Sequence, residues 1–200
     1  MKKLVSLALA LITVVMLIGC TSTKTEVSRG VIEGDVYKSE FIGIEFTKPE
    51  SWVYSTDEEI AAALDMGADM LVEDKFKDSI KEADFLYDMM VKEVTTGTNI
   101  NVGIENLSKT FSTNITEKQY LDALKSQLEE VTSMDVSFPD EYETAKLGDV
   151  EFTKAVCETK VQNITMTQVY YTRKVGGYMT YVIVTITKGY TVSDIEAMFK

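Results

Sequence analysis

Apolar positions divide the chain into an uncharged run at its start, a polar stretch, and a long segment in which they alternate or recur every three to four residues. Leu4 to Ile18 carries no charge, follows Lys2 and Lys3, and ends in Leu17-Ile18-Gly19-Cys20. Basic residues, a short apolar core and a small residue at its end make an export signal over residues 1–19. The run is shorter than the about 20 residues that a permanent spanning helix needs. Residues 20–35 are Thr- and Ser-rich and without period, which predicts a flexible tether.

From Val36 to Lys200 the pattern predicts one domain. Short extended pieces fall at Val36-Tyr37, Phe41 to Phe46 and Pro49 to Trp52, with Trp52 as a core anchor. Thr56 and Glu59 form a capping box for a helix from about Asp57, which Gly67 ends; Val72, Phe76 and Ile80 at spacing four predict a second helix over Asp69 to Glu82. Phe85 to Val94 and Ile100 to Leu107 read as strands. Thr116 and Gln119 box the clearest helix, Glu117 to about Glu130, with Tyr120, Leu121, Leu124, Leu128 and Val131 as its buried stripe.

Four extended segments follow: Met134 to Phe138, Ala145 to Thr159 with a turn at Gly148-Asp149, Ile164 to Lys174, and Tyr178 to Thr187. Gly176-Gly177 joins the last two as a hairpin, and Thr191 caps a short final helix. Strands in a meander with helices between predict an α+β chain whose sheet is largely antiparallel and covered by helices.

Charge narrows the partners. Past the signal, 18 basic residues (the chain's 20 less Lys2 and Lys3) face 32 acidic ones, a formal charge of −14. Such a domain is repelled by phosphate backbones, which excludes nucleic acid as a partner. The chain has no histidine and only two cysteines, Cys20 and Cys157. Cys157, in an apolar strand and without a histidine base, reads as a small buried hydrophobe rather than a nucleophile.

The Leu17-Ile18-Gly19-Cys20 ending resembles the lipobox of bacterial lipoproteins. That resemblance implies cleavage before Cys20, acylation of its thiol, and a mature protein held on the outer face of the cell membrane by its lipid. Several acyl chains at about 0.8 kcal/mol per buried methylene anchor stably where one does not.

Tyr37 to Trp52, with Phe41-Ile42-Gly43-Ile44 followed by Pro49-x-x-Trp52, resembles the opening of Mog1/PsbP-like domains and of small bacterial lipoproteins related to them. Asp84 to Met90, Ile100 to Asn106, and the hairpin from Val169-Tyr170-Tyr171 to Tyr178-Met179 extend the likeness. Many such domains carry glycine where this chain has Ser51. The resemblance implies an α/β/α sandwich around a central antiparallel sheet. It transfers no functional residue, since fold alone does not carry function.

Catalysis lacks its usual parts: the sequence holds no Gly-x-Ser-x-Gly, no Ser-x-x-Lys, no glycine-rich phosphate loop and no cofactor motif. A non-catalytic module that docks on another envelope protein is therefore the expectation, its surface formed by Met66 and Met70 with Tyr170, Tyr171 and Tyr178. The alternative is a small-molecule or metal binder. Asp65, Asp69 and Glu73 recur at spacing four and would supply oxygen ligands of calcium type, although helical carboxylates more often make a solvated face. A small-molecule site would show itself as a concave pocket with converging polar groups.

Overall fold

A computed structural model describes residues 26–131, 135–161 and 164–200, the side chains of Glu73 and Asp74 excepted. The segment expected to be an export signal and the lipobox-like Leu17, Ile18, Gly19 and Cys20 lie outside the described residues.

Strands β1 (Val31–Glu33), β2 (Val36–Ser39) and β3 (Ile44–Thr47) form a small antiparallel sheet. After β4 (Trp52–Tyr54) come α1 (Asp57–Ala63), a 3-10 turn (Ala68–Leu71) and α2 (Glu73–Glu82). Then follow β5 (Phe85–Glu93), β6 (Asn99–Asn106), α3 (Leu107–Thr110), α4 (Glu117–Glu129), β7 (Asp135–Ser137), β8 (Glu143–Leu147), β9 (Val150–Val161), β10 (Ile164–Val175), β11 (Tyr178–Ile186) and α5 (Val192–Glu196). The large sheet has eight strands in the order β4-β5-β6-β11-β10-β9-β7, with β8 also paired to β9. Each of its pairings is antiparallel. This is the expected α+β architecture with a largely antiparallel central sheet, flanked by a few helices.

Three capping boxes start the helices where the sequence places them: Thr56 with Glu59, Thr116 with Gln119, and Thr191 with Asp194. The β10–β11 turn uses positive φ only at Gly176 (+61°), the first of its two central residues. Alternation then sends successive residues of the long strands to opposite faces. One face, with Phe152, Val169, Tyr171, Val182 and Val184, packs with Tyr37, Phe46, Trp52, Phe76 and Ile80 into the main core. The other carries smaller clusters under α4 and α3, around Leu121, Ala155, Cys157 and Tyr170 and around Leu107, Tyr120 and Met179.

Two expectations are corrected. The helix expected over Asp69 to Glu82 is a 3-10 turn and a separate α2, because Val72 between them is extended (φ −64°, ψ 135°). The domain also begins before Val36. Val27 is buried, Arg29 forms an ion pair with Asp57 (2.5 Å), and the Gly30 N–H donates to Asp88 at 2.8 Å. β1 then pairs with β2, so residues 26–35 belong to the folded body; a polar composition concealed a segment fixed by partly buried ionic contacts.

Candidate functional site

Helix α4 packs on β9, β10 and β7, while α3 packs on β6 and β11. The gap between α4, α3 and the sheet is a cleft of about 480 Å³, within the range of small-molecule sites.

Helical spacing places Tyr120, Leu124 and Gln127 on one wall, at i, i+4 and i+7. The facing wall begins at α3, which Asn106 fixes: its side-chain oxygen caps Ser108 N (3.2 Å) while its amide donates to the Ile80 carbonyl (3.0 Å). Lys109, Thr110 and Phe111 of this wall face the cleft, and Phe111 meets the Tyr120 ring edge-on at 5.5 Å. Phe85, 41% exposed, stands at the rim.

The sheet supplies the floor. Gly103 of β6 lies directly opposite Tyr181 of β11. A Cβ at Gly103 would sit 2.4 Å from the Tyr181 ring and hydroxyl, so only glycine lets that ring lie across the strand. From there the ring meets Tyr87 edge-on at 6.3 Å. Tyr181 is 6% exposed, and its hydroxyl has no hydrogen-bond partner among the described residues. Burial first, then the neighbouring Tyr87, Tyr120 and Glu105, hold this hydroxyl well above the usual tyrosine range. Its neighbour Tyr120 donates to Glu105 at 2.5 Å and is likewise raised by burial and by that carboxylate. Tyr170 meets the Gln168 side-chain oxygen at 3.3 Å. Aromatic surface, one unpartnered phenol, carboxylates, an amide and an ammonium make a lining suited to holding a ligand.

The surface expected from Met66, Met70, Tyr170, Tyr171 and Tyr178 is not brought together. Tyr170 is buried and faces the cleft, whereas Tyr171 points to the opposite core and donates to Glu196 at 2.9 Å. Tyr178 is half-buried with its ring against Phe41 at 5.8 Å. Met66 and Met70 are half-buried around the α1–α2 connection, Met66 against the main core. Strand alternation, which separates adjacent tyrosines, divides the set between two faces.

Asp65, Asp69 and Glu73 do not share a helical face. Asp65 follows α1 with φ of +52°, Asp69 lies in the 3-10 turn and pairs with Lys75 at 2.9 Å, and Glu73 opens α2. Among the described residues, no group of three or more carboxylate, cysteine or histidine side chains is placed to hold a metal. Cys157 is buried under α4, which pushes its thiol up to about 12 and leaves it a poor nucleophile.

Sequence reasoning missed Gly103, Glu105 and Phe111 as cleft residues. A glycine amid the alternating Ile100-Asn101-Val102-Gly103-Ile104 was the available signal, since glycine inside a strand marks a close approach.

No family model and no curated protein matches the chain. Among solved structures, it is similar to the solution structure of cyanobacterial PsbP (CyanoP) from Synechocystis sp. PCC 6803, at 11% identity and a TM-score of 0.47, over 86% of this chain and 97% of that one. It is also similar to a crystal structure from Bacteroides thetaiotaomicron VPI-5482, at 12% identity and a TM-score of 0.38, over 78% of this chain and 44% of that one, so it spans less than half of that chain.

Proposed function

We propose that the protein is a lipid-tethered, extracytoplasmic, non-catalytic binding module whose working site is the cleft beside α4. The observation that carries this reading is Tyr181, whose side chain is buried in the cleft floor while its hydroxyl opens to the cleft with no partner among the described residues. A hydroxyl left without a protein partner on the floor of a concave aromatic site is placed to meet a ligand that enters it. The lipobox-like ending supports export and anchoring through Cys20. The lack of histidine and of phosphate-loop or serine-hydrolase motifs supports binding over turnover. Docking on another envelope protein remains compatible with the tether, but the tyrosines and methionines that suggested it lie largely inside the fold.

The test is a thermal-shift screen of the full chain, in a polyoxyethylene detergent, against a panel of small molecules. It is repeated on Gln127→Trp, which sets a bulky ring on the exposed cleft wall. A compound that raises the melting temperature of the wild type but not of the variant supports the cleft as the working site. Equal stabilisation of both, or of neither by any compound, overturns it.

A further inference from the structure

The floor of the cleft has its hydroxyls engaged with one exception. Tyr120 reaches Glu105, Tyr170 reaches Gln168, and Thr172 donates to the Thr153 carbonyl at 3.4 Å, whereas Tyr181 has no partner among the described residues. A ligand in the cleft can therefore meet that hydroxyl with an oxygen or nitrogen. Five aromatic rings line the same space, and ring faces carry negative potential that attracts a cation within about 6 Å. Two carboxylates, Asp84 and Glu105, line it against a single cation, Lys109, whose ammonium is drawn away to the Glu82 carbonyl at 3.1 Å. The chain as a whole carries −12, so the long-range field also favours a positive ligand.

We infer that the cleft binds a small organic cation, a quaternary or protonated amine carrying an oxygen that accepts from Tyr181. This deepens, and rests on, the reading of the cleft as the working site. The charge sits among the rings near Glu105, and the oxygen meets the Tyr181 phenol on the cleft floor. A neutral ligand of the same shape would keep the apolar contact and lose the attraction of rings and carboxylates.

The experiment is calorimetric titration of the detergent-solubilised full chain with choline, and with its neutral isostere 3,3-dimethylbutan-1-ol. Choline is expected to bind one to one, and the isostere at least about tenfold more weakly. Tyr181→Phe, which keeps the ring, is expected to weaken choline about fivefold, the net worth of one hydrogen bond. Glu105→Gln is expected to weaken choline more than the isostere. Choline also occurs as a lipid headgroup. Retention of the unacylated Cys20→Ser chain by phosphatidylcholine vesicles, and not by phosphatidylglycerol vesicles, would make the source a lipid; titration by free choline without such retention would make it a solute. The cation assignment holds in either case. Equal affinity for choline and the isostere overturns the cation while leaving the cleft a binding site. Failure of both probes in a chain that unfolds cooperatively overturns the inference, and the thermal-shift comparison with Gln127→Trp then judges the cleft separately.

Discussion

Tyr37 donates its phenolic hydrogen to the buried carboxylate of Asp88 at 2.6 Å, joining the small sheet to the bulge that shifts the β5–β6 register between Tyr87 and Met89. The Gly30 N–H donates to the same carboxylate, and Arg29 lies 3.9 Å away. The contact fixes the segment before β1 onto the domain.

Burial raises Asp88 to about 6, against the opposing pull of Tyr37, Gly30 and Arg29. An unfolded aspartate titrates near about 3.9, so between about pH 4 and pH 6 the native state holds a proton that the unfolded chain has released. The stability this group contributes is full below about pH 4 and is lost as pH rises through about 6, on the order of 2–3 kcal/mol across the window. Urea unfolding of wild type and Asp88→Asn from pH 4 to 7 checks this. The wild type should lose stability relative to the variant as pH rises, and parallel curves would refute the assignment.

Trp52 is 1% exposed, donates its indole N–H to the Tyr190 hydroxyl at 2.8 Å, and meets that ring edge-on at 5.4 Å. Trp52→Ala is expected to cost about 3–5 kcal/mol through lost transfer energy and the cavity left behind. Tyr190→Phe keeps the ring contact and removes the acceptor, for about 1–3 kcal/mol. Guanidinium unfolding followed by circular dichroism separates the two. A native tryptophan emission maximum at the fully solvated wavelength would contradict the burial.

Much of the fold was legible because its signals are local. A Thr at a helix start with Glu, Gln or Asp three residues on satisfies helical N–H groups within one turn, as at Thr56, Thr116 and Thr191. Trp52 as an anchor and Gly176-Gly177 as a hairpin are equally short-range. The site was not legible, because it depends on which strands become neighbours. Gly103 and Tyr181 are far apart in the chain and meet only once β6 pairs with β11. The adjacent pair Tyr170-Tyr171 looked like one surface and is split between two faces, one in the cleft and one in the core. Arg29 gave no sequence signal of its role, since its ion pair with Asp57 spans 28 residues.

Cys20 is expected to carry the membrane anchor, on the Leu17-Ile18-Gly19-Cys20 ending. Cys20→Ser should abolish incorporation of labelled palmitate, and the chain should remain unprocessed or be released. A Cys20→Ser chain that is still cut and membrane-held as in wild type would end the lipoprotein reading. Binding by the cleft should survive the substitution, since the anchor needs no surface of the domain.

Gly103→Ala tests the floor of the cleft without removing a polar group. The added methyl would stand 2.4 Å from Tyr181, a distance no real contact sustains, and the flat ring would have to lift off β6. Overpacking of this kind costs about 1–3 kcal/mol, which a denaturation midpoint would register at unchanged slope. The lifted ring would enter the space that a ligand needs, so ligand-induced stabilisation should fall together with stability. Tyr181→Ala in the same background removes the clash. If Tyr181 is what the methyl strikes, the double variant should lose less stability than the two single losses combined, as expected for residues in contact. Additive losses would mean that the ring does not lie over Gly103.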